Sequence, residues 1–213
     1  GVTYIKGDNK ITVKATKEIL LSAGSIGSPQ ILQTSGIGDG EKLKNLGIEV
    51  TKDLKGVGKN LQDHLMFRPV FKVKHIKTLN KKINSIFGKL LIGLEYVFLR
   101  RGPMTMGASQ LCGFAKSDET RETPNLQFHI QPISTDKLGG ANLHDFDAFT
   151  PTDANIRPTS RVEINIISSD SRDNPKIKMN YLSTDEDRKV AADGIKLIRK
   201  IVMETKEFKK YEP

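Results

Sequence analysis

The sequence predicts an α/β region followed by an α+β region. In the first 64 residues, short strands alternate with short helices, and one strand is an unbroken apolar run, which is typical of a strand covered on both faces. Further along, two segments alternate between apolar and polar residues, as half-buried antiparallel strands do. Amphipathic helices before and after these segments complete the prediction of an antiparallel sheet flanked by helices.

The first elements are defined by turn residues and by the apolar run. Residues 2–6 and 11–14 alternate on either side of a Gly-Asp-Asn-Lys turn, which predicts a β-hairpin. Residues 18–22 form the apolar run and predict a buried strand. The small residues of segment 23–27 follow it and would allow another group to approach the backbone closely.

The next elements are bounded by helix-capping and turn residues. Ser28 and Pro29 predict an N-cap and a first helical turn, so a short helix is expected at residues 30–35, closed by Gly36. The elements predicted after it are a helix at 41–46, a strand at 49–54, a glycine turn at 56–58 and a polar segment at 59–64.

The second half of the chain is defined by its periodicities. Apolar residues recur at helical spacing over residues 83–98, and a Gly-Pro pair ends the pattern. Strands are predicted at 125–131 and 161–168, with a long irregular connection between them. A capping box at residues 183–186 predicts a last helix. Its apolar face consists of Val190, Ile195, Ile198, Ile201 and Val202.

Composition indicates a globular protein without membrane spans. Of the 213 residues, 37% are hydrophobic and 28% charged, and no apolar run reaches the roughly 18 residues that a spanning helix needs. The chain lacks an initiator methionine and a secretory signal, so we expect an internal fragment of a cytoplasmic protein. A single cysteine, Cys112, excludes an internal disulfide framework and a cysteine-rich zinc site. No metal site is predicted.

Most of the net charge of +9 is concentrated between Phe71 and Gly102, where eight Lys and Arg residues face the single acid Glu95. A solvated helix face is the expected explanation for such a run. The alternative is a surface for a partner or for an anionic membrane, with peripheral contact at the inner membrane. Few aromatic residues lie among the lysines and no nucleic-acid-binding motif is present, so nucleic acid is not an expected partner.

Three groups of segments carry a family resemblance. Residues 24–38 satisfy every position of the second signature of the glucose–methanol–choline (GMC) flavoproteins, and residues 56–64 resemble the next landmark of that family. Segments similar to the family's substrate domain are found at 124–129, 157–161 and 180–183. The resemblance covers essentially the whole chain and implies part of a Rossmann-like FAD-binding domain joined to a substrate domain.

The resemblance implies FAD as the cofactor and divides the chain into three parts. Residues 1–66 would belong to the FAD-binding domain, residues 67–182 to the substrate-binding domain, and residues 183–213 to a helix that leads into a catalytic segment. A helix N-terminus beside bare backbone N–H groups independently suits a cofactor that carries phosphate. The residues expected near FAD are Ala23, Gly24 and Ser25 on its adenosine side, Ser28 as the helix cap behind them, and Asn60, Asp63 and His64 in the loop.

Two family features are absent from the sequence. The G-x-G-x-x-G unit that holds the pyrophosphate is not found, and the histidine segment that carries catalysis in the family has no counterpart. None of His64, His75, His129 and His144 lies in that context, so no catalytic residue is predicted. We therefore expect the isolated chain to bind FAD poorly and to lack dehydrogenase activity.

The resemblance implies oxidation of a small-molecule alcohol to an aldehyde or ketone, with hydride transfer to the flavin. Quinone and oxygen both remain open as the electron acceptor. A broad primary or aliphatic alcohol is favoured over choline, because the chain has no tryptophan and segment 109–113 offers no acid for a quaternary ammonium group. The alternatives are a choline dehydrogenase, a lyase of the same fold that contains FAD, and a non-catalytic basic binding module.

Overall fold

The computed structural model describes residues 1–107, 109–137 and 142–213, which form two compact units. The first unit comprises residues 1–61 and 161–179, and the second comprises residues 62–160 and 180–213. The chain therefore leaves the first unit, builds most of the second, and then returns to the first. The division of the chain at residues 66/67 and 182/183 stays a prediction.

The first unit contains three small two-stranded sheets and two helices. Its elements are β1 (Val2–Lys6), β2 (Asn9–Val13), α1 (Gly24–Thr34), β3 (Ile37–Gly38), α2 (Gly40–Asn45), β4 (Lys52–Asp53), β10 (Glu163–Asn165) and β11 (Lys176–Lys178). β1 pairs with β2, and β10 with β11, in antiparallel fashion, whereas β3 and β4 are parallel. The predicted hairpin and the predicted helix at 41–46 are confirmed, and Asp39 caps that helix by accepting from the N–H of Lys42.

The predicted buried strand at residues 18–22 is wrong. This segment is irregular and exposed, and Leu20 is 82% exposed. Among the described residues no strand pairs with it, so neither of its faces is covered. The strand predicted at 49–54 is reduced to the two residues of β4, because its partner β3 also has two residues.

A buried glutamine joins α1 to β10 in the first unit. The Gln33 side chain donates from Nε2 to the carbonyl of Ile164 at 3.0 Å and accepts at Oε1 from the N–H of Ile166 at 3.1 Å. Leu43, Val162 and Ile164 are at most 2% exposed and form the apolar core around it. Because a donor and an acceptor of the amide are each paired with a backbone group, these hydrogen bonds offset the cost of burying the side chain and fix the helix against the strand.

The second unit is an antiparallel sheet with helices. Its elements are β5 (Met66–Phe67), β6 (Phe71–Lys72), α3 (Leu79–Asn84), α4 (Ile86–Leu99), β7 (Leu111–Ala115), β8 (Leu126–Gln131), β9 (Ala148–Asn155), α5 (Asp185–Glu204) and α6 (Lys206–Lys209). The strand order is β5-β9-β8-β7, and β6 also pairs with β9. Val73, Phe149, Ile198 and Val202 form the core between the sheet and α5.

The central strand β9 lies in the connection that the sequence predicts to be irregular. Pro151, in its middle, lies between the residues that pair with β6 and those that pair with β5, where that ladder is interrupted. A proline is tolerated at such a position because the interrupted ladder does not need the N–H that proline lacks. The strand predicted at 161–168 forms β10, but in the first unit and not in this sheet.

The helix predicted over residues 83–98 is two helices. Ser85 has an extended backbone with ψ 134, which ends α3, and its Oγ accepts from the N–H of Gly88 to cap α4. The last helix is confirmed, although Thr184 is its N-cap and Asp187 takes the third helical position. Asp187 is buried and accepts from the N–H groups of Thr159 and Ser160, each at 2.8 Å.

Candidate functional site

A cavity of about 280 Å³ lies beside the first part of α1 in the first unit. α1 contributes Ser25, Ser28, Pro29 and Leu32 to its lining. The turn at residues 57–61 and Ile164 of β10 form the rest. The cavity therefore lies where the segment 24–38 meets the segment 56–64, the two segments that carry the strongest family resemblance.

The N-terminus of α1 is positively polarised and open. Gly24 has φ +76, a conformation that glycine adopts without strain, and a methyl group added there would meet nothing within 4 Å. No side chain caps the helix at Ala23, and its first turn contains no acidic residue. The first N–H groups of a helix have no partner within it, so these groups can bind an anion or an oxygen-rich ligand.

The expected role of Ser28 as the helix N-cap is wrong. α1 begins at Gly24, so Ser28 lies inside the helix, and its Oγ accepts from the N–H of Ala23 at 3.1 Å. The Ser-Pro pair predicts a helix start because proline usually occupies the first turn of a helix. Here Pro29 lies within the helix. Proline has no N–H to offer the carbonyl of Ser25, which therefore lacks its helical partner.

The turn opposite α1 is held by close backbone contacts. Gly58 has φ +77, and its carbonyl accepts from the N–H of Ile164 at 2.6 Å. A methyl group at Gly58 would lie 2.1 Å from the carbonyl oxygen of Ile164, so only glycine fits. Asn60 also has a positive φ, and its Oδ1 accepts from Nε of Arg161 at 2.9 Å. The turn thus presents Asn60 in a fixed orientation.

The structure brings together three of the residues expected near FAD. Ser25, Ser28 and Asn60 line the same cavity. Ala23 and Gly24 precede Ser25 at the exposed start of α1.

Asp63 and His64 instead belong to the second unit, where both are exposed. The Asp63 carboxylate accepts from the hydroxyl of Tyr181. Partial burial together with this hydrogen bond raises the pKa of Tyr181 to about 12. The pair fixes the loop that precedes β5.

Several lining residues were missed by sequence reasoning. Lys59 lies in the landmark segment without having been assigned a role, and Leu32 is an ordinary apolar position of α1. Ile164 could not have been found, because its approach to the turn depends on the return of the chain to the first unit more than a hundred residues later. Arg161 acts through Asn60. No local signal pointed to Ile164, whereas Arg161 ends a segment that resembles the family.

The lining of the cavity fits one part of a dinucleotide. Pro29, Leu32 and Ile164 offer an apolar wall, whereas Ser25 and Asn60 offer hydroxyl and amide groups. The helix N-terminus adds positive potential for a ribose or phosphate oxygen. A cavity of this size is at the small end of ligand sites, so it suits a portion of FAD and not the whole cofactor.

The lining contains no acid, base or nucleophile that is arranged for catalysis. Its polar side chains can hold and orient a ligand. Within residues 1–107, 109–137 and 142–213, no group of three or more His, Cys, Asp or Glu residues could hold a metal ion.

Two family models match the chain, and both describe GMC oxidoreductases. The N-terminal model matches residues 1–66 and the C-terminal model matches residues 158–213. The first match contains all three residues that line the cavity and were expected near FAD, and the second contains Ile164 and Arg161.

Curated relatives include two bacterial enzymes named oxygen-dependent choline dehydrogenase. The one from Pseudomonas syringae pv. tomato is 38% identical over 96% of this chain, and the one from Pectobacterium carotovorum subsp. carotovorum is 37% identical over 95%. The chain spans 36% of the length of each.

Solved structures show the same fold. A variant of formate oxidase from Aspergillus oryzae RIB40 has a TM-score of 0.86 and 23% identity. The match covers 99% of this chain and 41% of the formate oxidase chain. An FAD-dependent oxidoreductase from Chaetomium thermophilum has a TM-score of 0.81 and 22% identity, with coverages of 97% and 42%. The two family matches together cover more than half of the sequence and agree with this fold, so the chain belongs to the GMC oxidoreductase family.

Proposed function

We propose that the protein is an FAD-dependent oxidoreductase that acts on the CH–OH group of an alcohol, and that this chain supplies part of its cofactor site. The observation that carries the proposal is the cavity at which α1 and the turn 57–61 meet. Both segments belong to the family signatures, and each is held in place by contacts to β10.

The residues of the cavity would bind and orient the adenosine part of FAD. The open N-terminus of α1 would face ribose or phosphate oxygens, and Ser25 would donate or accept a hydrogen bond there. Leu32 and Ile164 would contact the flat base. Asn60, oriented by Arg161, would present its amide to the ligand. Asp63 and His64 are proposed as residues of the loop near the cofactor.

FAD held by these residues would supply the hydride acceptor for oxidation of the CH–OH group to an aldehyde or ketone, and the hydroxyl proton would pass to a base outside this cavity. None of the residues lining this cavity takes the hydroxyl proton, so we assign no catalytic residue to this chain. The activity is therefore proposed for a protein of the length of the relatives. For the isolated chain we still expect poor FAD binding and no dehydrogenase activity.

The cofactor site is tested by filling the cavity from α1. Leu32→Trp places a large ring in the lining, whereas Ile31→Trp places the same ring at a neighbouring position that is 45% exposed and lies outside the lining. In a protein of the length of the relatives, we expect flavin content per polypeptide to fall at least about tenfold in the first variant and to stay unchanged in the second. Equal flavin content in both variants would show that the cavity is not part of the cofactor site.

The substrate we propose is an uncharged primary or aliphatic alcohol. Segment 109–113 carries no carboxylate, and the chain contains no tryptophan to form an aromatic cage for a quaternary ammonium group. The names of the curated relatives favour choline instead, which makes choline the second candidate.

The two substrates are separated by comparing choline with its neutral isostere, in which carbon replaces the quaternary nitrogen. A kcat/KM at least equal for the isostere would support the uncharged alcohol. A preference for choline of about a hundredfold would establish a cation site and refute our choice. Anaerobic bleaching of the flavin by either alcohol would exclude the lyase alternative.

A further inference from the structure

Helix α4 of the second unit exposes its apolar face. Six of its large apolar side chains are between 43% and 83% exposed, namely Ile86, Phe87, Leu90, Leu91, Leu94 and Phe98. At about 100° per residue, all six fall within an arc of about 140°, and the exposed Val97 lies within the same arc. On the opposite side, Gly88, Ile92 and Tyr96 are half-buried, whereas Lys89 and Leu99 are exposed.

This orientation is the reverse of an ordinary surface helix, which turns its apolar stripe inward. Single exposed apolar residues need no explanation, but a contiguous apolar stripe along a 14-residue helix indicates a binding surface. At 1.5 Å per residue the stripe is about 21 Å long. We call it the α4 face.

Positive charges border the α4 face at both ends. Lys81 and Lys82 precede the helix, and Arg100 and Arg101 follow it. Nearby acids pair with part of this charge, since Glu95 contacts Arg101 at 3.2 Å and Asp147 contacts Lys81 at 3.4 Å. Glu212 likewise pairs with Lys74. A cationic excess remains, because the segment 71–102 carries eight basic residues and one acid.

We propose that α4 docks the protein on an anionic lipid membrane, lying flat in the interface with the α4 face toward the acyl chains. Large apolar side chains on one face, with basic residues around them, are the features of an interfacial helix. Lys82 and Arg100 would reach lipid phosphates while their aliphatic stems stay beside the apolar stripe. The helix lies on the bilayer and does not cross it, because no helix among the described residues is long and apolar enough to span it.

Charge argues against a second copy of the chain as the occupant. A symmetric pairing of two α4 faces would place the basic ends of both helices close to basic residues of the other copy. An anionic headgroup layer provides the complementary charge on all sides of the helix. The lipid surface therefore satisfies both the apolar stripe and its basic border.

The test is flotation of the purified protein with vesicles of phosphatidylcholine mixed with phosphatidylglycerol, compared with vesicles of phosphatidylcholine alone. We expect binding to the mixed vesicles that weakens with salt. Phe87→Gln combined with Leu91→Gln should lower the partition coefficient at least about tenfold, because it removes apolar burial without changing charge. Lys82→Gln should lower it about fivefold. Met203→Gln, an exposed apolar position of α5, is the matched control and should have no effect.

Three outcomes would overturn the proposal. The first is equal binding of the wild-type protein and the Phe87/Leu91 double variant. The second is a dimer, measured by light scattering without vesicles, that the double variant dissociates, since the face would then join two copies. The third is absence of vesicle binding together with a loss of thermal stability in the double variant, which would mean that the face packs against other parts of the polypeptide.

Discussion

The carboxyl group of Asp153 should make the protein less stable at neutral pH than in mild acid. Asp153 is 1% exposed in β9 and packs beneath Gly194 of α5. Neither carboxyl oxygen has a hydrogen-bond partner among the described residues. Burial without a partner raises its pKa from 3.8 to about 6.

The sign follows from proton binding. Between pH 3.8 and about 6 the folded state holds a proton at Asp153 that the unfolded state has already lost, so stability falls as the pH rises through this range. A difference of about two pKa units corresponds to about 3 kcal/mol, of which about 2–3 kcal/mol is lost between about pH 4 and pH 7. Asp153→Asn removes the titration while keeping the shape of the side chain. The free energy of unfolding of Asp153→Asn, measured relative to wild type, should therefore rise by about 2–3 kcal/mol between about pH 4 and pH 7.

The assay is guanidinium unfolding of both proteins across this pH range. Asp145→Asn, at an exposed aspartate of the same unit, is the control that corrects for net charge. A second readout is the titration of the Asp153 carboxyl carbon by NMR. A difference between wild type and Asp153→Asn that does not change with pH, or a carboxyl midpoint below about 4, would refute the reasoning.

Two further substitutions test contacts described above. Gly58→Ala should cost about 2–4 kcal/mol in thermal unfolding, because of its positive φ and the contact with Ile164, whereas Gly56→Ala, with no atom in the way, should change stability little. Asp187→Ala should cost about 3 kcal/mol in urea unfolding at neutral pH, and Asp185→Ala, whose side chain is 99% exposed, much less. Burial alone would raise the pKa of Asp187, but the hydrogen bonds that it accepts lower it. Its contribution should therefore be lost as the pH falls below the usual range of aspartate. Equal losses of stability in Gly58→Ala and Gly56→Ala would contradict the first assignment. Equal losses in Asp187→Ala and Asp185→Ala would contradict the second.

Local patterns were sufficient for elements that are stabilised locally. The hairpin at residues 2–13, α2 and α5 carry their own turn or capping residues, so the sequence predicts them without knowledge of the rest. The alternation at 125–131 corresponds to β8, which has one face against α5 and is therefore half-buried.

Elements that depend on tertiary context were predicted poorly. The segment 18–22 has the composition of a buried strand, but a strand needs a neighbour to pair with, and none is found among the described residues. β9 has the composition of a loop, yet pairing on both sides makes it the centre of the sheet. Ser85 divides one apolar periodicity into two helices, and the periodicity alone contains no trace of the break.

The candidate site was partly predictable for the same reason. Its α1 and turn segments are continuous in sequence and match family signatures, so Ser25, Ser28 and Asn60 could be named. The wall contributed by Ile164 could not be named, because the hydrogen bond that brings it to Gln33 joins residues 131 positions apart. Long-range contacts of this kind are specified by the whole fold and not by any one segment.

The return of the chain to the first unit has a consequence for the order of folding. Leu61 and Val162 form a bridge, and residues 62–160 of the second unit lie between them in sequence. When β5 pairs with β9, the flexible connection that separates these two residues shrinks from about 100 residues to about 13, which lowers the entropic cost of the bridge by about 2 kcal/mol. At synthesis rates of roughly 5–20 residues per second, the first unit also waits on the order of 5–20 s for the strand that completes it. The segment expected to carry the cofactor contacts is therefore made before the strand that fixes its shape.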